Sequence, residues 1–406
     1  MRLLFLTKQQ YMGKNLLEDR FGRFYEIPKA LAETGHRVHT VCLQYWPTLS
    51  GPSTLRQRDG VEWNSFSLGW NWPLGFMIHY QRLKDIAARY RPDVIVGASD
   101  AAHVALASRL AIRLKIPYAV DLYDNFESYQ ATKIPGMKAS LRCAVRNASA
   151  VSVVSDTLCA KVREDYRPKG ILRTITNAIA PDIFFPCGKI AARRRLGLPE
   201  GRILIGTAGS LTRARGIDTL FRAFDAISTG KEDVMLVLAG SMDRCFAART
   251  RNRVIYLGQL AHEQVGDLFN ALDVGVICNR DDEFGRYCFP QKLFEMWACN
   301  LPTVIAEVGA MRCLPIDSSS GFFDPESADS LAAAIMARLG NRRLPQLSIP
   351  TWKDCGRQFS DMLESIVEAG VCPTSQSRPS NFAPKRGEDR RMETESSLEK
   401  SEFELR

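Results

Sequence analysis

Along most of the 406-residue chain, short apolar runs alternate with segments of helical spacing, and no other feature narrows the fold as much. LLFLT at 3–7 reads as a buried strand, FYEIPKALAETG at 24–35 as a helix ending at a glycine suited to its C-cap, and HRVHTVCL at 36–43 as a second strand. DVIVGAS at 93–99, the helical AAHVALASRLAIRLK, IPYAVDL, a helix near 138–149 and AVSVVS continue the alternation. Repeated β-α-β units imply a parallel, doubly wound sheet. The pattern then restarts with RILIGTAGS at 202–210, the helix IDTLFRAFDAI, VMLVLAG at 234–240, VIYLGQL, DVGVICN and PTVIAEV. Two α/β domains are therefore expected, over 1–182 and 187–350, with the boundary in the proline-bearing APDIFFPCG at 180–188. A closing helix within 351–371 is expected to pack back toward the first domain. Residues 372–406 turn to Ser, Glu, Lys, Arg and Pro, too polar to bury a core, and read as a disordered tail.

A chain with 45% apolar residues and this length holds two full cores. The opening LLFL run is too short for a signal peptide, and the most apolar later region is broken by Asp100, His103 and Arg109, so a cytosolic protein is expected. Eleven scattered cysteines with no C-x-x-C pair argue for reduced, buried thiols and against a metal site. The net charge of +9 is unevenly placed: residues 1–186 hold 25 Lys/Arg against 16 Asp/Glu, and residues 187–371 hold 22 of each. A basic first domain suits an anionic partner. Lys138, Arg142 and Arg146, four apart on one helix face with Lys133 just before, mark a possible contact with anionic membrane or a lipid-diphosphate acceptor, or else a solvated face. Nucleic acid is not expected, because the basic residues are not interleaved with aromatic runs.

Two loops of the second half point to a phosphate ligand. In FPQKLFEMWACNLPTVIA, residues 289–306, Pro290 suits a first helical turn and Asn300 a left-handed C-terminal position. Lys292 in that first turn opposes the helix dipole unless an anion docks there. Glu295 supplies a carboxylate that can hold paired ribose hydroxyls. In AGSLTRARGID, residues 208–218, Gly209 and Gly216 allow close backbone approach, while Arg213 and Arg215 offer planar donors to phosphate. Both loops fall at the carboxyl edge of the predicted sheet, where such folds bind ligands.

These two stretches resemble the donor-binding half of the retaining glycosyltransferases of family 4, whose GT-B fold sets two Rossmann-like domains face to face. RFYEIPKALAETGHRVHTV, ASAVSVVSDTL, ITNAIAPDIFFP, VIYLGQLAHEQVGDLFNALDVGV and GFFDPESADSLAAAI match in order, so the likeness covers about residues 1–370. It implies that Glu295 is the second Glu of an E-x(7)-E motif that binds donor ribose, and that Arg215 faces the diphosphate. It also implies that Phe289, Pro290 and Gln291 form the backbone turn whose N–H groups meet that diphosphate, with Gly209 and Ser210 in the same donor site. Two positions depart from the pattern: Tyr287 stands where the first Glu would be, and Ser210 replaces a basic residue. A third departure is Tyr123, with Asp124 after it, in place of a family histidine. The role of the first Glu is unfilled or falls to Asp282 or Glu283 nearby, and Asp124 and Glu283 are the candidates for a catalytic carboxylate.

The resemblance implies transfer of a sugar from a nucleotide-diphosphate donor, UDP- or GDP-linked, to a hydroxyl of a glycan or lipid-linked acceptor, with retention and without a metal. Assembly of a surface polysaccharide or glycolipid on the inner face of the membrane would suit it. A nucleotide-sugar epimerase, a phosphorylase and a catalytically silent relative are the alternatives.

Overall fold

The computed structural model describes residues 1–11, 14–45, 54–69, 72–249, 253–314 and 321–370, so the expected tail lies outside the described residues. Its first lobe carries β1 (Arg2–Lys8), a small hairpin of β2 (Gln10–Tyr11) and β3 (Lys14–Asn15), β4 (Arg37–Gln44), β5 (Thr54–Arg58), β6 (Val61–Ser67), β7 (Val94–Ala98), β8 (Tyr118–Leu122), β9 (Ala150–Val153) and β10 (Ile171–Thr174). Eight of these form one sheet in the order β10-β9-β8-β7-β1-β4-β6-β5. Side chains of a strand alternate between faces, and in β1 both faces are buried. Leu4 and Leu6 meet the core under the helices Ala101–Leu114 and Met137–Asn147, while Leu3 and Phe5 meet the core that holds the helix Arg23–Glu33.

The sheet is parallel except at one edge, where β5 runs antiparallel to β6. The cause of that antiparallel edge is local. Asp59 and Gly60 both take positive φ, 50° and 74°, which is the geometry of a tight hairpin turn.

The second lobe carries β11 (Ile203–Ala208), β12 (Val234–Ala239), β13 (Val254–Tyr256), β14 (Val274–Ile277), β15 (Thr303–Ala306) and β16 (Phe322–Phe323), all parallel, in the order β13-β12-β11-β14-β15-β16. Strand order reverses beside β11, and beside β1 in the first lobe, the points at which open α/β sheets form their crevices, outside the carboxyl ends of the strands. The two Rossmann-like domains expected of a GT-B protein are thus present.

The closing helix Trp352–Glu368 starts in a capping box between Thr351 and Asp354. It lies against the helix Arg23–Glu33, where a Cβ at Gly356 would stand only 2.4 Å from that of Ala30. Trp352, Phe359 and Leu363 join the core of the first lobe.

Candidate functional site

The cleft between the lobes is built from the second lobe's strand ends. β11 runs into Gly209, whose φ of 131° brings its carbonyl against Gly240, itself at φ 121°. A Cβ on Gly240 would stand 1.9 Å from that oxygen, so only glycine lets the two loops touch. The helix Ile217–Gly230 begins at Gly216, at φ 74°. The helix Gln291–Ala298 begins at Pro290, and no side chain caps its start. Its first-turn N–H groups are therefore available to an anion. Asn300 closes this helix at φ 56°, the left-handed position its sequence suggests.

Arg215 and Lys292 bring positive charge to this edge. Arg215 lies flat on the ring of Phe284, 3.2 Å from its centroid, and lines the cleft. Lys292 also lines it, beside Gly209. Its ammonium lies 3.1 Å from Glu295 Oε2, and Gln291 Nε2 donates to Oε1 at 2.7 Å. Glu295 is fully buried. Burial by itself would raise its carboxyl, but Lys292 and His262 outweigh burial and hold it down at about 2. His262 Nε2 stands 4.0 Å from Oε1, too far for a hydrogen bond.

The first lobe contributes a different carboxyl. Asp124 follows β8 and lines the cleft, yet it is only 3% exposed. It accepts from Asn125 N–H at 2.7 Å and from the Tyr129 hydroxyl at 2.8 Å, and Tyr123 lies 2.7 Å from Tyr129 on the far side. Each phenol has one proton, so with Tyr129 donating to Asp124, Tyr123 donates to Tyr129. Burial raises Asp124 to about 6 against the pull of Tyr129, Asn125, Arg215 and Lys8. The Lys8 ammonium sits over the rings of Tyr123 and Tyr129, at 5.8 and 5.6 Å, and burial lowers its own pKa.

Of the residues singled out from sequence, Asp124, Gly209, Ser210, Arg215, Phe289, Pro290, Gln291 and Lys292 line one cleft. Arg213 does not: its side chain is exposed, and its N–H binds Asp243 at 3.0 Å. Glu283 is exposed and accepts from Asn125 Nδ2 at 2.9 Å, one residue from Asp124 but outside the cleft lining. Tyr287 faces Lys161, and its carbonyl accepts from Ser155, which ties the lobes together instead of supplying an acid. On the proposed membrane stripe, Lys138 and Arg142 both pair with Glu127, at 2.9 and 2.6 Å, leaving Lys133 and Arg146 exposed. No described helix is long and apolar enough to cross a membrane.

Sequence reasoning passed over Lys8, Tyr129, Asn177 and Asn279, all near or lining the cleft. A second compartment of the cleft is lined by Gly240, Ser241, Gln259, Leu260 and His262. A polar residue inside an apolar run, as in ITNAIA, is the one signal that would have found Asn177.

With this geometry in place, comparison with known proteins is direct. The family described as Glycosyl transferase 4-like domain matches residues 23–178, and Glycosyl transferases group 1 matches residues 202–341. The chain belongs to the glycosyltransferase 4-like proteins of GT-B fold. A D-inositol 3-phosphate glycosyltransferase of Xylanimonas cellulosilytica is 26% identical over 57% of this chain and 61% of its own. The chain thus spans less than two thirds of that relative's length. Sucrose-phosphate synthase of Thermosynechococcus elongatus superposes with a TM-score of 0.69 at 18% identity, over 91% of this chain and 96% of its own. Anabaena HepE, solved in complex with UDP, superposes with a TM-score of 0.64 at 16% identity, over 91% and 98%.

Proposed function

We propose that the chain is a retaining, metal-independent glycosyltransferase that moves a hexosyl group from a nucleotide-diphosphate sugar to a hydroxyl acceptor. One observation carries this reading. Backbone turns at Gly209 and Pro290, with Arg215 and Lys292, form an anion-receiving edge, and it faces the buried carboxyl of Asp124 across the cleft.

In this reading the diphosphate rests on the start of the helix Gln291–Ala298. The bond from the anomeric carbon to phosphate oxygen breaks, the acceptor oxygen bonds to that carbon on the same face, and the acceptor proton passes to the departing phosphate. Arg215, Lys292 and the helix N–H groups meet the charge that grows on the leaving group. Asp124, ionised above about pH 6, stabilises the positive charge at the anomeric carbon. Glu295 takes the ribose hydroxyls after Gln291 releases its Oε1, with Lys292 keeping Oε2. Glu283 acts on the loop of Asp124 through Asn125 rather than on substrate.

HepE, described in complexes with UDP and with UDP-glucose, favours UDP as the first donor base to test, with GDP next. The acceptor reading is a glycan or lipid-linked hydroxyl in cell-surface polysaccharide or glycolipid assembly, at the cytoplasmic face of the membrane. The exposed Lys133 and Arg146 support peripheral contact there more than the paired Lys138 and Arg142 do.

The test is release of nucleoside diphosphate from a panel of UDP- and GDP-sugars, with and without hydroxyl acceptors, followed by the anomeric configuration of the product. Acceptor-dependent release with retained configuration is expected. Because Tyr287 leaves the usual acidic position empty, a catalytically silent relative is the second reading; it predicts nucleotide binding without turnover.

A further inference from the structure

Asn177 is 6% exposed and lines the cleft at the point where the first lobe gives way to the second. Its Nδ2 donates to the carbonyl of Phe289 at 3.0 Å, the residue just before the Pro290 turn. That bond fixes which way the amide points, since a flip would set Oδ1 against another oxygen. Its Oδ1, however, has no hydrogen-bond partner among the described residues. A buried acceptor left unmet is uncommon in a folded protein and calls for an explanation.

The chemistry of the missing partner can be narrowed. An amide oxygen has lone pairs and no proton, so it takes a hydroxyl or an N–H and avoids phosphate oxygens. The cleft has two compartments that share Gly209, Ser210, Arg215 and Lys292. One continues past Gly240, Gln259 and His262, and Asn177 does not line it. The other holds Asn177 together with Asp124 and Tyr129. If the diphosphate occupies the shared edge, the nucleoside lies in the first compartment and the sugar in the second. Only the sugar then brings hydroxyl donors to Asn177.

We propose that Asn177 is a specificity-determining residue whose Oδ1 accepts a hydrogen bond from a hydroxyl of the transferred sugar while its Nδ2 holds the diphosphate turn. The inference rests on the nucleotide-sugar reading above. Arg23 sets the residue's position from behind: its guanidinium binds Asp121 of β8 and donates to the carbonyls of Ile175 and Thr176. One buried cation thus ties the segment before Asn177 to the strand that ends near Asp124.

The experiment is calorimetric titration of UDP against UDP-glucose, and of GDP against GDP-mannose, in wild type, Asn177→Leu and Asn177→Asp. Asn177→Leu removes both contacts, so it should weaken both ligands, and nucleotide-sugar binding about five- to tenfold more than nucleoside diphosphate binding. Asn177→Asp keeps an acceptor at the same place. It should weaken both ligands beside the phosphates and leave the ratio of their affinities within about twofold of wild type, and it decides the matter if the Leu variant does not fold. An equal loss for sugar-bearing and sugar-free ligands in Asn177→Leu, or no loss, overturns the proposal and leaves Asn177 as a pin for the turn alone. Binding of no nucleotide by wild type overturns the nucleotide-sugar reading, and this inference with it.

Discussion

Asp124 lines the cleft and Glu295 lies behind Gln291 and Lys292, which line it; both carboxyls are buried, and they sit in opposite electrostatic settings. Glu295, in the second lobe, has Lys292 and Gln291 on its two oxygens and is held down at about 2. Asp124, in the first lobe, has one phenol and one backbone N–H, its nearest cations act only at a distance, and it is raised to about 6. The difference separates a carboxylate kept ionised by direct partners from one kept poised for chemistry. Desolvation opposes ionisation in both; a direct ammonium contact reverses it in one.

The largest effect should come from removing the poised charge. Asp124→Asn keeps the shape of the side chain and is expected to lower turnover about 100-fold or more, with nucleotide affinity unchanged, as read by steady-state transfer beside equilibrium binding. The same substitution should stabilise the fold. A folded pKa above the unfolded value means that the native state binds the proton more tightly, so Asp124 costs stability at neutral pH, and the cost is relieved as pH falls from about 6 toward 4. Urea unfolding at pH 7 should show a gain of about 1–3 kcal/mol in Asp124→Asn.

Glu295 should behave in the opposite sense. Its folded pKa lies below the unfolded value, so its stabilisation is present above about pH 4.5 and is lost as pH falls toward about 2. Glu295→Gln leaves Lys292 without its partner and should cost about 2–3 kcal/mol in the same urea experiment. A loss in both variants, or a gain in both, would erase the contrast between the two carboxyls. Arg215→Ala comes next. It removes a guanidinium from the anion edge and should weaken nucleoside diphosphate binding about tenfold, with little change in stability. The smallest effect is expected on the outer surface: neutralising Lys133 and Arg146 should reduce co-sedimentation with anionic liposomes by about 2 kcal/mol at most, and neutralising Lys138 and Arg142 by less, since both already pair with Glu127.

The second lobe was far more legible in sequence than the first. Its anion edge is made by backbone, and backbone announces itself through glycine, proline and the residues around them: Gly209, Gly216 and Asn300 take the positive φ their turns need, while Pro290 stands one place before the helix, at its N-cap rather than in its first turn. The central strands were legible for a related reason: β7, β8, β14 and β15 are buried along their whole length and read as near-continuous apolar runs. What stayed hidden was set by distant side chains meeting. Tyr129 reaches Asp124 across one short 3-10 turn, Lys8 stands at the end of β1, two strands from β8 in the sheet, and Asn177 waits on Phe289, 112 residues away. Arg213 and Arg215 show the limit within a single loop. Two positions apart in sequence, one guanidinium stacks on Phe284 in the cleft and the other points to solvent.

The central claim is that the second lobe holds the nucleotide and the first supplies the chemistry. Thermal unfolding with UDP, GDP, ADP and dTDP in wild type, Asp124→Asn and the double variant Arg215→Ala/Lys292→Gln tests it most directly. A ligand at 100 times its dissociation constant adds about 2.7 kcal/mol. One nucleotide should stabilise wild type and Asp124→Asn alike and leave the double variant unmoved. No response to any nucleotide in wild type, or loss of the response in Asp124→Asn with its retention in the double variant, would contradict the account.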